Sequence, residues 1–175
     1  LDPNLENIDI KVLDIEGQIQ FAKKHKVDLT IIGPEAPLVA GVVDEFRLAG
    51  LRCFGPSAAA ARLEGSKRFT KDFLSKYKIP TADYGSFSSP NKAIEFARSM
   101  ELPVVIKADG LAAGKGVVIA TTYQEAEEAI RGMMVNGNFG GAGASVVIEE
   151  FLQGEEASFI VVSDGKDFLP FASSQ

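Results

Sequence analysis

The residues best suited to chemistry lie in one segment, residues 106–117, which reads IKADGLAAGKGV. Three glycines and two lysines fall within it, namely Gly110, Gly114, Gly116, Lys107 and Lys115. Flexible backbone N–H donors beside ammonium groups are what a chain of phosphates requires. A β-branched strand follows the loop, so the segment predicts a hairpin flap that closes over a triphosphate. A glycine-rich surface hairpin with solvated lysines is the alternative.

The spacing of this segment excludes two common phosphate-binding motifs. A Walker P-loop has four residues between its glycines and a Ser or Thr after its lysine, and it opens a helix. Here three residues separate Gly110 from Gly114, and Gly116 follows Lys115. The dinucleotide fingerprint is excluded as well, because the segment lacks the G-x-G-x-x-G spacing and no helix follows it.

A second segment, residues 147–159, has the composition of a nucleoside site. An apolar strand there runs into a short linker whose backbone groups could read an adenine edge. Glu149 and Glu156 are seven residues apart, and a carboxylate after the linker can accept hydrogen bonds from two ribose hydroxyls. An acidic edge on an acidic protein is the alternative. Lys67, at the start of a predicted helix, is either a further phosphate contact or a solvated lysine.

The composition argues against two classes of protein, those that bind nucleic acids and those that span a membrane. Among 175 residues there are 18 basic and 24 acidic side chains, and 46% of the residues are apolar. The acidic balance argues against a nucleic-acid partner, and no apolar run approaches the roughly 20 residues that span a bilayer. Cys53 is the single cysteine, so an internal disulfide is impossible. We expect a cytoplasmic protein, without membrane contacts, that extends beyond both Leu1 and Gln175.

Helices and strands alternate along the chain, which predicts an α/β fold. Residues 1–64 are expected to be the remainder of a Rossmann-like domain, and residues 65–79 a helix leading onward. Residues 80–152 are expected to form a small α+β subdomain, and residues 153–175 the start of a larger antiparallel sheet. Within these, the patterns predict one helix over 38–49, a helix over 123–134, and a hairpin of strands 157–162 and 168–172 around Asp164-Gly165.

Five stretches together resemble one family within the ATP-grasp superfamily. They are LTIIGPEAPLVAGVVDEFR, FGPSAAAARLEGSKRFTKDF, IPTADY, VIKADGLAAGKGV and IEEFLQGEEASF. This order is similar to the glycinamide ribonucleotide synthetases, also called phosphoribosylamine-glycine ligases. The resemblance implies a partial Rossmann-like domain followed by part of an ATP-grasp domain. It also implies ATP-dependent joining of glycine to 5-phosphoribosylamine, giving glycinamide ribonucleotide, ADP and phosphate in purine biosynthesis.

The resemblance also implies roles for single residues. Lys67 and Lys107 would contact the α and β phosphates, and residues 110–116 with Lys115 would cover the β and γ phosphates. Glu149 would lie near the adenine amine, and Glu156 would hold the ribose.

The backbone of Phe151 or Leu152 would read the adenine ring nitrogen. The magnesium or manganese ligands of the family are expected outside this segment, as is part of the sugar-phosphate site. The 175 residues alone are therefore expected to be inactive, and the whole enzyme is expected to be a monomer.

Glu35 is a candidate substrate residue on separate grounds. It follows the predicted strand 29–32 through Gly33-Pro34, so it lies at the carboxyl end of a strand in an open α/β sheet, where ligands of such folds bind. A carboxylate there could bind ribose hydroxyls or the amine of phosphoribosylamine; capping the next helix is the alternative.

Two other functions stay open at this level. One is an ATP-grasp enzyme of the carboxylase type, which activates bicarbonate, although GLAAGKGV together with GEEASF argues against it. The other is a nucleotide-binding module without turnover.

Overall fold

The computed structural model describes residues 3–112, 115–138 and 140–173, and these residues alternate between helix and strand. The helices are α1 (Ile15–His25), α2 (Glu35–Val39), α3 (Val42–Leu48), α4 (Ala58–Gly65), α5 (Lys67–Lys76), α6 (Pro90–Ser99) and α7 (Tyr123–Met134). The strands are β1 (Thr30–Ile31), β2 (Cys53–Phe54), β3 (Tyr84–Phe87), β4 (Val104–Ala108), β5 (Val117–Ala120), β6 (Val146–Glu150), β7 (Val161–Ser163) and β8 (Phe168–Pro170). Across these ranges, no helix is long and apolar enough to cross a bilayer.

The first sheet is a parallel pair, in which β1 pairs with β2 and α1 and α3 pack beside it. Helix α1 begins at Ile15 because the Asp14 carboxylate accepts a hydrogen bond from the Gly17 N–H at 2.9 Å. Its last turn carries lysines, which suit the negative end of the helix dipole. Val42, Val43 and Phe46 of α3 are buried in the core of this part.

The single helix predicted over 38–49 is wrong, because the structure forms α2 and α3 there. Gly41 separates them in the left-handed region at a φ of 92°, a conformation that glycine adopts without a side-chain penalty. Its N–H donates to the Leu38 carbonyl at 3.1 Å and closes α2. The turn redirects α3 so that Asp44 accepts a hydrogen bond from the Ala58 N–H, at the start of α4, at 2.7 Å.

The second sheet has four antiparallel strands in the order β3-β6-β4-β5, with α6 and α7 against one face. Its central strands pair Ile106 with Ile148, and both side chains are fully buried. Burying one such side chain stabilises the fold by roughly 1.5 to 3 kcal/mol. The pairing of β4 with β5 confirms the predicted strand-loop-strand arrangement around residues 109–116.

The last two strands form the hairpin that Asp164-Gly165 predicts, although both strands are shorter than expected. The Asp164 carboxylate accepts hydrogen bonds from the N–H groups of Asp167 and Lys166, each at 2.9 Å. These two bonds lower the pKa of Asp164. Gly165 has a φ of 95°, which suits the turn. Phe159, Phe168 and other large apolar side chains in and beside the hairpin are exposed.

Asp109 joins the second sheet to helix α5. Its Oδ1 accepts hydrogen bonds from the Ser66 hydroxyl at 2.9 Å and the Arg68 N–H at 2.8 Å, and its Oδ2 accepts one from the Ser145 hydroxyl at 3.0 Å. The Lys67 N–H also donates to the Asp109 carbonyl at 3.1 Å. One carboxylate thus caps α5 and fixes that helix to the end of β4 and the residue before β6.

We predict that Asp109→Ala lowers the free energy of unfolding by about 1.5 to 3 kcal/mol, because hydrogen bonds to a charged group are lost at three donors. Chemical denaturation measures the loss. In hydrogen exchange, the amides of the first turn of α5 should exchange faster. The matched control is Asp28→Ala, since Asp28 is exposed between α1 and β1. Equal stability of the two variants would contradict this role.

Candidate functional site

The alternation of β4 places Lys107 on the sheet face opposite α6 and α7. Val104, Ile106 and Ala108 are buried, whereas the residues between them are only partly buried. In the register with β6, Val105 pairs with Glu149 and Lys107 with Val147. Because successive side chains of a strand point to opposite faces, Lys107 and Glu149 are diagonal neighbours on the same face.

Two of the predicted site residues, Lys107 and Glu149, are in direct contact, and Lys71 contacts the same carboxylate. The Lys107 ammonium lies 3.0 Å from Glu149 Oε2, and the Lys71 ammonium of α5 lies 3.0 Å from the same oxygen. The side chain of Glu149 is 7% exposed and that of Lys71 is 10% exposed, against 28% for Lys107. We call these three residues the Glu149 cluster. Lys107 is its most exposed member.

Besides its ion pair with Glu149, Lys71 donates two hydrogen bonds within the chain. Its ammonium donates to the Thr81 hydroxyl at 2.7 Å and to the Ala82 carbonyl at 3.3 Å. It also lies 5.6 Å from the centre of the Tyr84 ring. Burial raises the pKa of Tyr84, and the neighbouring Asp72 carboxylate, which accepts a hydrogen bond from its hydroxyl, raises it further.

The glycine loop between β4 and β5 packs closely against neighbouring backbone. The Gly110 N–H donates to the Ala142 carbonyl at 3.3 Å, and a Cβ at Gly110 would lie 2.9 Å from the Ala142 Cα. The Gly116 carbonyl accepts a hydrogen bond from the Ala108 N–H at 2.8 Å. A side chain at Gly110 would therefore push the loop away from the segment that precedes β6.

Two more predicted phosphate contacts lie at this loop. The Lys67 ammonium donates to the Gly110 carbonyl at 3.1 Å, so the structure brings these two residues together. Lys115 is exposed, and its N–H donates to the Ala112 carbonyl at 2.9 Å. Gly114, which the sequence also selects, lies outside the described residues.

The predicted nucleoside residues are spread along the chain from β6 onward. Glu149 is buried in β6 with one oxygen taken by two lysines. Phe151 and Leu152 follow the strand directly and are exposed, as is Glu156 farther along. These three residues are therefore accessible to a ligand beside the carboxyl end of β6.

Glu35 occupies a different place. It is the first residue of α2, and it is exposed. It lines a cavity of about 200 Å³ together with Leu38, Pro56, Ala60, Ala61, Leu63 and Glu64. That lining includes none of the other predicted site residues within the described part of the chain.

Lys71 was missed in the sequence. The available signal was its spacing, because Lys67, Lys71 and Leu74 follow one another at helical intervals and share one face of α5. A lysine between inward-facing positions indicates a buried charge with a partner. The sequence presents Asp109 only as part of the glycine segment, because its partners Ser66 and Ser145 are far away in sequence.

A metal site is not apparent in residues 3–112, 115–138 and 140–173. They contain no group of three His, Cys, Asp or Glu side chains that could hold a metal ion.

Two family models together match almost the whole chain. The phosphoribosylglycinamide synthetase N domain matches residues 2–64, and the phosphoribosylglycinamide synthetase ATP-grasp (A) domain matches residues 65–175. A phosphoribosylamine-glycine ligase of Vibrio parahaemolyticus is 59% identical over all 175 residues, which are 41% of its own length. The chain thus spans about two fifths of the curated relatives that it matches.

Solved structures agree with this assignment. A phosphoribosylamine-glycine ligase from Thermotoga maritima is 34% identical, has a TM-score of 0.73, and aligns with 86% of this chain and 37% of its own. A biotin carboxylase from Campylobacter jejuni, solved as a β-γ-ATP complex, is 18% identical and has a TM-score of 0.76. It aligns with 90% of this chain and 36% of its own, and this similarity shows a shared fold. The predicted fold class is confirmed, and the chain belongs to the phosphoribosylglycinamide synthetase family.

Proposed function

We propose that the protein is an ATP-dependent ligase that joins glycine to 5-phosphoribosylamine, giving glycinamide ribonucleotide, ADP and phosphate in purine biosynthesis. In this proposal residues 65–175 hold the nucleotide, and the protein acts as a cytoplasmic monomer. The nucleotide part of the proposal rests on the Glu149 cluster, in which Lys107 lies beside a glycine loop that also contacts Lys67. The two other substrates are proposed from the phosphoribosylamine-glycine ligases that this chain resembles.

The donors around the loop fit a chain of phosphates. Lys107 is partly exposed and binds a single carboxylate, so its ammonium retains hydrogens for a phosphate oxygen. Lys67 is one turn of helix from Lys71, and its ammonium donates to the Gly110 carbonyl. In the nucleotide complex, a phosphate oxygen would replace this carbonyl as the acceptor. Residues 110–116 and Lys115 would then cover the terminal phosphates as a flap.

The residues after the cluster fit the adenosine. Glu149 would accept a hydrogen bond from the adenine amine, the backbone of Phe151 or Leu152 would bind a ring nitrogen, and Glu156 would accept bonds from the ribose hydroxyls. The two adenine-binding positions come first along β6 and its linker and the ribose-binding Glu156 follows them, which is the order of adenine and ribose in ATP.

The chemistry requires positioning more than proton transfer. The glycine carboxylate attacks the γ-phosphorus, the bond to ADP breaks, and glycyl phosphate forms. The phosphoribosylamine nitrogen then attacks the glycyl carbonyl carbon, phosphate leaves, and the nitrogen loses a proton. Lys67, Lys107 and Lys115 would neutralise phosphate charge and hold the chain in line. The described residues contain no group of three His, Cys, Asp or Glu side chains that could hold a metal ion, and we derive no step through magnesium or manganese.

The direct test is an assay of the full-length protein that contains these residues. We expect phosphate release from ATP only when glycine and 5-phosphoribosylamine are both present, with one ADP formed for each product. Release that depends on bicarbonate instead would indicate a carboxylase-type enzyme. Nucleotide binding without any release would indicate a binding module.

Lys107→Met in the same protein should raise the dissociation constant of ATP by about tenfold to a hundredfold, because one charge-assisted contact is lost. Titration calorimetry with a non-hydrolysable ATP analogue measures this change. Lys92→Met is the matched control, since Lys92 is exposed on α6, on the other side of the sheet. An unchanged affinity in Lys107→Met would remove Lys107 from the site.

Glu35 would bind the amine or ribose of phosphoribosylamine in this proposal. Glu35→Gln should then raise the KM for phosphoribosylamine by about tenfold while the KM for ATP stays constant. Glu64→Gln, at the same cavity, is the control. If both KM values stayed constant and only the melting temperature fell, Glu35 would be a structural residue of α2.

A further inference from the structure

Lys71 is the one member of the Glu149 cluster for which the proposed reaction has no role. Its ammonium has three hydrogens, and three acceptors of the chain lie within bonding distance, namely Thr81 Oγ1, the Ala82 carbonyl and Glu149 Oε2. Its side chain is 10% exposed. A ligand could bind this ammonium only by replacing a buried hydrogen bond, so Lys71 acts on other residues of the protein.

The residue on which it acts is Lys107. Both ammonium nitrogens lie 3.0 Å from the same oxygen, Glu149 Oε2, so they are no more than 6.0 Å apart. Like charges at this distance repel each other, and partial burial leaves the repulsion only partly screened. Lys71 is fixed by its other two bonds, whereas Lys107 is the more exposed of the two. The repulsion therefore weakens the hold of Glu149 on Lys107.

We propose that Lys71 is a positioning residue for nucleotide binding: by sharing Glu149 Oε2 with Lys107 it weakens that pair and keeps the Lys107 ammonium available to a phosphate oxygen. Without Lys71, Lys107 would be the sole cation on a carboxylate that is 7% exposed, and a buried carboxylate with one partner holds that partner tightly. A phosphate would then have to break this pair. The inference rests on the proposed function, because it assigns Lys107 to the nucleotide phosphates.

The experiment compares the effect of Lys71→Met in two backgrounds of the full-length protein, the natural sequence and Glu149→Gln. The probe is a non-hydrolysable ATP analogue titrated by calorimetry. We expect Lys71→Met to raise the dissociation constant by about tenfold in the natural background. In the Glu149→Gln background, where no carboxylate competes for Lys107, the change should be below about threefold.

Steady-state kinetics supply a second readout that a general loss of structure would not produce. Lys71→Met should raise the KM for ATP and leave the KM for glycine unchanged. The matched control is Lys76→Met, because Lys76 is exposed on the same helix and the variant loses the same charge. Its dissociation constant and KM values should equal those of the natural protein.

Two results would overturn the inference. One is an equal loss of affinity in both backgrounds, which would mean that Lys71 acts independently of Glu149, and the other is no loss in the natural background. If Lys71→Met did not fold, the variant carrying both Lys71→Met and Glu149→Gln would be compared with Glu149→Gln alone. A tenfold difference in the dissociation constant of the analogue between these two would overturn the inference. Failure of the natural protein to bind the analogue would instead reject the proposed function.

Discussion

The buried carboxylate of Glu149 is the constraint around which this part of the molecule is organised. A charge with 7% exposure has lost most of its hydration, and an isolated carboxylate in that position would be strongly destabilising. Two ammonium groups on one oxygen compensate it. They come from α5 and β4, so the helix and the sheet must both be in place before the charge can be buried.

Asp109 supports the same arrangement from the end of the sheet. Its carboxylate caps α5 through Ser66 and Arg68, and it also binds Ser145 ahead of β6. Since Lys71 follows this cap by one turn, the cap fixes how far along the sheet the lysine reaches. The carboxylates of Asp109 and Glu149 both bind partners that are distant in sequence. The position of the glycine loop and the packing of α5 therefore depend on each other.

Local signals in the sequence predict most of the elements, but few of the contacts. The apolar spacing of residues 123–134 and the turn at Asp164-Gly165 act within a few residues, and α7 and the β7–β8 hairpin agree with them. The sequence does not indicate a break at Gly41, because a single glycine is tolerated inside a helix. The turn is evident only in the structure, from the φ of 92° at Gly41 and the contact of Asp44 with Ala58. Lys107 and Glu149 were selected separately, and their contact depends on strand register. The Lys71 contact spans 78 positions, beyond any local pattern.

The hairpin of β7 and β8 has a consequence for the behaviour of these residues in solution. A two-stranded hairpin has little stability by itself, and large apolar side chains in and beside this one, among them Phe159, Phe168 and Phe171, are exposed. Unpaired strand edges that carry exposed aromatic side chains favour edge-to-edge pairing between molecules. The net charge of −6 opposes such association through mutual repulsion, which salt screens. Residues 1–175 prepared by themselves should therefore associate more readily as ionic strength increases.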